Sequence, residues 1–329
     1  MKIAILGAGA WGTALAIHVA HRHPVWLWSR NPAVLTAVRE RGRNDCYLPE
    51  APVPDGVQVT ADLAEAVTGA ELVVMATSVA GLRPVADALA QASPAGRRPG
   101  IVCLAKGLER GTGLLPHQLL GAVLPGHVVG CLSGPSFAQE VAAGLPVALT
   151  AAAADAALPH QMVAAFHHGA MRVYRSADIT GVEVGGALKN IMAVATGTCD
   201  GLGLGLNARS ALLTRGLAEI TRFGLAHGAQ AETFLGLAGV GDLVLTCTGD
   251  LSRNRRVGLE LAQGQSLDAI LASLGHVAEG VACCPAVVDR AQAAGVELPI
   301  CQAVLDVLQG RLSAREAVVR LLAREPRPE

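Results

Sequence analysis

The chain has 329 residues, 51% of them hydrophobic, and its 26 basic and 27 acidic side chains leave a formal net charge of −1. Such a length and apolar content can support two sizeable cores, and the balanced charge excludes the basic face of a nucleic-acid binder. No apolar run of about 18 residues is free of glycine or polar breaks, so no membrane span is expected.

Eight cysteines and ten histidines are scattered without a C-x-x-C or H-E-x-x-H spacing. That pattern predicts reduced, mostly buried thiols in a cytoplasmic protein and no metal centre.

Residues 2–20 read KIAILGAGAWGTALAIHVA. An apolar strand over 3–6 runs into Gly7-Ala8-Gly9-Ala10-Trp11-Gly12, a G-x-G-x-x-G that opens a helix. In that setting Gly7 permits the tight turn, Gly9 leaves room for a pyrophosphate, and Gly12 lets helix and strand pack closely, with helix N–H groups aimed at the phosphates. A secretory leader is the competing reading of these residues, but glycines interrupt the apolar core and Ala20-His21-Arg22 lacks a small-x-small cleavage pattern. The chain is therefore expected to be folded from residue 1.

A second strand over 25–28 ends in Ser29-Arg30. An acidic residue here would read a free ribose 2′-hydroxyl, whereas an arginine can meet a 2′-phosphate, so Arg30 predicts acceptance of NADP. A helix over 32–41 follows with Asn31 as cap, and residues 44–49 are too polar and proline-bounded for a regular element. Strands over 57–60, 72–76 and 101–104 alternate with a capped turn at 62–67 and a helix at 81–91; a Pro/Gly/Arg linker precedes the last strand. The run LVVMA at 72–76 has no polar alternation, as a parallel strand covered on both faces requires.

The strand at 101–104 ends in Ala105-Lys106-Gly107, and a strand at 128–132 ends in Ser133-Gly134-Pro135-Ser136-Phe137-Ala138. Ligands collect beyond the carboxyl ends of such strands, so Lys106 and Ser136 are placed to meet an anion. A helix over 114–123, strands at 147–150 and 171–174, and a helix at 155–167 complete a strand-helix alternation that predicts a doubly wound parallel sheet. Beyond it only helical spacing remains, over 179–198, 208–227, 253–263, 267–274, 281–294, 300–309 and 313–323, with 326–329 expected to fray. The predicted domains are 1–178 and 179–329.

Two stretches in the helical half ask for more than a structural account. Gly185-Gly186 inside a helix costs about 1 kcal/mol per glycine relative to alanine, which suggests close approach by another group next to Lys189 and Asn190. Gly239-Val240-Gly241-Asp242-Leu243 precedes Ser252-Arg253-Asn254-Arg255-Arg256, where arginines at a helix N-terminus oppose the dipole and favour an anion.

Together these residues resemble the bacterial NAD(P)-dependent glycerol-3-phosphate dehydrogenases, through GAGAWGTALA (7–16), NDCYLP (44–49), AKGLE (105–109), SGPSFAQEV (133–141), ALKNIMAVATG (187–197), GVGDLVLTCTGDLSRNRRVG (239–258) and AEG (278–280). The resemblance implies a Rossmann-type NAD(P)-binding domain followed by an all-helical substrate domain similar to that of phosphogluconate dehydrogenase. It implies reversible reduction of dihydroxyacetone phosphate to sn-glycerol 3-phosphate with NADP(H) or NAD(H), serving phospholipid synthesis in the cytoplasm, and leaves a homodimer open. Cys46 stands where the family often has a basic or polar residue.

Carried onto this sequence, the resemblance makes Lys189 the catalytic acid/base. Lys106, Gly134, Ser136, Lys189, Asp242, Ser252, Arg253 and Asn254 would surround the substrate. Ala10, Trp11, Arg30, Lys106, Ala138, Arg253, Val277 and Glu279 would contact the nucleotide beside Gly7, Gly9 and Gly12. The alternatives weighed are a β-hydroxyacid or ketopantoate-type dehydrogenase, which would not call for the SRNRR cluster, and an NADPH-binding sensor without chemistry, which would not call for Lys106, Lys189 and Asp242 together.

Overall fold

The computed structural model describes residues 1–92, 98–275 and 277–325. Most of the expected linker and the expected frayed end, 326–329, lie outside these. The chain divides into two compact units, Met1–Lys106 with Leu115–Val182, and Gly107–Leu114 with Glu183–Glu329.

The first unit runs β1 (Ile3–Leu6), α1 (Ala10–Ala20), β2 (Val25–Trp28), α2 (Pro32–Arg41), β3 (Arg43–Asn44), β4 (Leu48–Pro52), β5 (Val57–Thr60), α3 (Leu63–Val67), β6 (Leu72–Met75) and α4 (Val79–Ala92). It continues with β7 (Gly100–Cys103), α5 (Pro116–Val123), β8 (Val129–Ser133), α6 (Ala138–Ala142), β9 (Val147–Ala153), α7 (Ala157–Phe166) and β10 (Met171–Ser176). Eight strands form one sheet in the order β10-β9-β8-β7-β6-β1-β2-β5. β1 lies between β2 and β6, with Ile3 opposite both Val25 and Leu72. Every residue of β1 and β6 is buried, which accounts for the uninterrupted apolar runs; each fully buried Ile, Leu, Val or Met stabilises the sheet by roughly 1.5–3 kcal/mol.

The sheet is parallel from β5 to β8, as a doubly wound parallel sheet requires, and one pairing departs from that pattern. β9 runs antiparallel to β8, with Ser133 opposite Thr150, and β10 runs parallel to β9. The five-residue α6 is too short to carry the chain back along the sheet, so β9 enters at the end where β8 leaves. Residues 44–49 are also corrected: they belong to an antiparallel hairpin of β3 and β4. Asn44, fully buried, donates from Nδ2 to Ala8 O at 2.9 Å and Thr13 Oγ1 at 2.8 Å. Its polarity serves the glycine turn rather than solvent, and the prolines fit a short edge ribbon.

The second unit is helical: α8 (Ile179–Gly201), whose first turn belongs to the first unit, α9 (Gly205–Ala226), α10 (Ala231–Phe234), α11 (Asp242–Thr248), α12 (Arg253–Ala262), α13 (Leu267–Leu274), α14 (Glu279–Ala293), α15 (Pro299–Leu308) and α16 (Ala314–Leu322). Side-chain caps set three starts: Ser252 Oγ accepts from Arg255 N, Ser266 Oγ from Ala269 N, and Ser313 with Glu316 makes a reciprocal box. The loop 107–114 joins this unit, where Arg290 Nη1 donates to Gly113 O at 2.6 Å.

α8 and α12 cross at van der Waals limit. A Cβ on Gly197 would lie 2.0 Å from Arg255 O, and one on Gly258 would lie 2.0 Å from Val194 O, so backbone meets backbone there. The expected close approach at Gly185 is present as well, with Ala238 O 2.3 Å from the position of a Cβ. α11 was not expected as a helix, because its β-branched and cysteine-containing DLVLTCT follows a glycine-rich turn.

Among the described residues Ala231–Thr248 has the length and composition to cross a membrane. It is not one continuous helix. A π-type turn at Leu237–Gly241 breaks it, with Gly239 at φ −99 and ψ −106, and its Asp242 is 1% exposed.

Candidate active site

In the first unit the predicted glycine turn takes the expected form. Gly7 sits at φ 127, and a Cβ on Gly12 would lie 1.9 Å from Gly7 O. A Cβ on Gly9 would meet nothing within 4 Å, so this side of the turn is open at the N-terminus of α1, where no acidic residue occupies the first turn. These features fit a dinucleotide pyrophosphate held by backbone N–H groups. Two further hydroxyls at the carboxyl ends of β6 and β8, Thr77 Oγ1 and Ser133 Oγ, are buried without a hydrogen-bond partner among the described residues. Arg30 follows β2 on the surface.

Trp11 Nε1 donates to Ser136 O at 3.1 Å, which joins α1 to the loop after β8. Lys106 Nζ donates to Gly134 O at 3.2 Å, and Ser136 Oγ donates to the same oxygen at 3.0 Å. Trp11, Lys106, Gly134 and Ser136 are thus one hydrogen-bonded group, and buried Ala138 opens α6 behind it.

In the second unit Lys189 comes from the middle of α8 and Asp242 from the first residue of α11. They form an ion pair whose side chains are 7% and 1% exposed. Lys189 Nζ also donates to Thr246 Oγ1 at 2.8 Å. Thr246 stands one turn after Asp242 on the same helix face, so residues of spacing four present a carboxylate and a hydroxyl to one ammonium. Sequence reasoning missed Thr246, since its spacing has meaning only if 242–248 is helical. Buried charge is tolerable here because it is paired and hydrogen-bonded.

The SRNRR cluster resolves into separate parts. Ser252 caps α12. Asn254 is 8% exposed, donating to Asn190 Oδ1 at 2.9 Å and accepting from Gly280 N at 3.0 Å; its amide ties α12 and α14 to α8. Arg255 binds Asp200 and Arg256 binds Glu260, which answers the expectation that the arginines await an anion: two of the three already have one. Arg253 is exposed at the first position of α12 and makes no hydrogen bond or ion pair among the described residues. Its pKa is lowered by partial desolvation against the surrounding protein, with the charge of Glu279, at the start of α14, opposing that shift. Val277, 49% exposed, lies just before that helix.

All eight cysteines are free, seven of them buried and Cys46 exposed. Among the described residues no group of three or more His, Cys, Asp or Glu side chains is placed to hold a metal ion.

A glycine-turn sheet followed by a helical unit with a buried lysine-carboxylate pair defines a two-unit NAD(P)-dependent dehydrogenase. The chain belongs to the NAD-dependent glycerol-3-phosphate dehydrogenase family, whose N-terminal description matches residues 2–158 and whose C-terminal description matches 178–319. It is 58% identical over 334 residues to glycerol-3-phosphate dehydrogenase [NAD(P)+] of Paucimonas lemoignei, covering 100% of this chain and 98% of that protein. It is 56% identical over 341 residues to the enzyme of that name from Cupriavidus necator, with 100% of both covered. The crystal structure of glycerol-3-phosphate dehydrogenase from Coxiella burnetii superposes with a TM-score of 0.94 at 38% identity, over 98% of this chain and 99% of that one.

Proposed function

We propose that the chain reversibly reduces dihydroxyacetone phosphate to sn-glycerol 3-phosphate with NAD(P)H, supplying glycerophospholipid synthesis in the cytoplasm. The observation that carries this reading is the buried Lys189–Asp242 pair with Thr246, in the unit that also presents Arg253 at a helix N-terminus. The names of the full-length relatives support it. Residues 1–178 carry the glycine turn that receives the cofactor, and 179–329 carry the lysine that supplies the proton.

Bound NAD(P)H supplies the hydride. As hydride reaches the ketone carbon, charge develops on its oxygen, and Lys189 donates the proton there, with Asp242 and Thr246 orienting the ammonium. Lys106, Gly134, Ser136, Ser252, Arg253 and Asn254 contribute to substrate binding. For the phosphate dianion Arg253 supplies a charged donor and the first N–H groups of α12 supply neutral ones. Gly7, Gly9, Ala10, Trp11 and Gly12 receive the pyrophosphate, Arg30 meets the 2′-phosphate, and Lys106, Ala138, Arg253, Val277 and Glu279 contact the nucleotide.

The test is NADPH absorbance with dihydroxyacetone phosphate against pyruvate, ketopantoate and tartronate semialdehyde. Turnover with the phosphorylated ketone alone supports the reading. Faster turnover with a keto acid would replace it with a related reductase, and NADPH binding without any turnover would replace it with a sensor. A homodimer belongs to the same proposal; light scattering at the monomer mass would remove it.

A further inference from the structure

Arg255 lies inside the cluster assigned to substrate, yet its guanidinium faces the protein. Its Nε and Nη2 donate to Asp200 Oδ2 at 3.1 and 2.8 Å, and Arg209 Nη1 reaches the same oxygen at 3.1 Å. The Asp200 and Arg255 side chains are each 14% exposed. The further contact of Arg255 Nη1 to Asp250, 3.0 Å long, reaches a carboxylate 96% exposed, where screening leaves little energy. Asp200 is therefore the partner that fixes Arg255.

Asp200 stands in the last turn of α8, about three turns beyond Lys189 on the same helix, too far along it to touch the reacting group. Its effect runs through α12. That helix meets α8 backbone to backbone over about one turn, at Arg255 against Gly197 and at Gly258 against Val194, a short contact that leaves the residues before Arg255 to be aimed by side chains. The Arg255–Asp200 link, at the N-terminal end of that contact, is charged and two-pronged, and with the Asn254–Asn190 bond it fixes the direction of the residues before it. The direction fixed in this way is that of Ser252, Arg253 and the first N–H groups of α12.

We propose that Asp200 is a positioning residue for recognition of the substrate phosphate, acting through Arg255 to aim Arg253 and the start of α12. The proposal rests on the assignment of Arg253 to substrate given above.

Asp200→Asn removes the charge with little change of shape. It should raise KM for dihydroxyacetone phosphate about tenfold, a loss within the usual range for a charged hydrogen bond, with kcat changed less than about twofold. Affinity for NADPH, followed by fluorescence, should fall by less than the rise in KM, because Arg253 is one of several nucleotide contacts, and kcat/KM for dihydroxyacetone, which lacks the phosphate, should stay the same. Arg255→Met should reproduce this pattern, the double variant should be no worse than either single one, and Asp200→Glu should recover most of the loss. A merely structural role would lower the melting temperature of both variants while leaving KM for the phosphorylated ketone unchanged, and that result overturns the proposal. Arg253→Ala separates the two levels. If it leaves KM unchanged, the underlying substrate assignment falls; if it raises KM while Asp200→Asn and Arg255→Met do not, only the present inference falls.

Discussion

Lys189 and Asp242 form an ion pair withdrawn almost wholly from solvent, with side chains 7% and 1% exposed. A buried pair is costly to break by removing one member, about 3–5 kcal/mol, because the remaining charge is left uncompensated. Stability and catalysis must therefore be separated in any test of Lys189. Lys189→Met should lower kcat by about 10²–10⁴, the usual range for losing an acid/base group, while NADPH still binds. Lys189→Met with Asp242→Asn should remain as inactive but melt higher than Lys189→Met alone, since the buried carboxylate that faced the ammonium no longer carries a charge. Near-normal kcat in either variant would end the assignment.

The sequence made much of this site legible, and its omissions have physical causes. Glycine spacing and apolar runs located the turn and the sheet because parallel strands covered on both faces leave little choice of residue. The reversal at β9 was hidden, since VALT at 147–150 reads the same in either direction and only the shortness of α6 decides it. In the helical half, close packing at Gly185 was foreseen, but Gly197 and Gly258, which set the α8–α12 crossing, looked like ordinary helix residues. Thr246 and Asp200 went unread for a shared reason: each acts through a neighbour distant in sequence, Lys189 in one case and Arg255 in the other.

Arg30 is exposed directly after β2, at the position where an acidic side chain would read a free 2′-hydroxyl. NADPH should therefore serve at least as well as NADH. Arg30→Asp should raise KM for NADPH much more than KM for NADH in steady-state assays. Equal responses would show that Arg30 does not read the 2′ position.

The helix crossing makes a prediction about stability alone. In Gly258→Ala the new Cβ would lie 2.0 Å from Val194 O and 2.6 Å from Thr198 N, so α12 must move off α8. A loss of about 3 kcal/mol or more is expected, comparable to overpacking a rigid core. Gly121→Ala in α5 is the control, because a Cβ there meets nothing within 4 Å; it should be neutral or stabilising by up to about 1 kcal/mol. Denaturant unfolding of the two variants distinguishes these outcomes, and similar midpoints for both would contradict the described crossing.

Two buried titratable groups give stability a pH dependence of opposite sign in the two units. Glu219, 3% exposed, accepts from Ile300 N at 2.6 Å and Cys301 N at 3.2 Å; burial pushes its pKa from 4.5 up to about 7 against the pull of these bonds. His168, 8% exposed and stacked on His18 with ring centroids 3.9 Å apart, is pushed from 6.5 down to about 4 by burial and then by the charges of His18 and Arg22. An unfolded glutamate releases its proton near 4.5 while folded Glu219 keeps it to about 7. Across that window the unfolded state binds fewer protons, so stability falls as pH rises, by up to about 3 kcal/mol in all. For His168 the unfolded state gains a proton below 6.5 that the folded state refuses until about 4, so stability falls as pH drops. The two slopes oppose each other between pH 4.5 and 6.5. Glu219→Gln should remove the first, so that on acidification from about pH 7 to 5 its calorimetric midpoint falls relative to the unsubstituted protein. His168→Gln should do the reverse, with a midpoint that rises relative to the unsubstituted protein over the same change. Midpoints that move in parallel with those of the unsubstituted protein in both variants would show that neither group titrates as its burial requires.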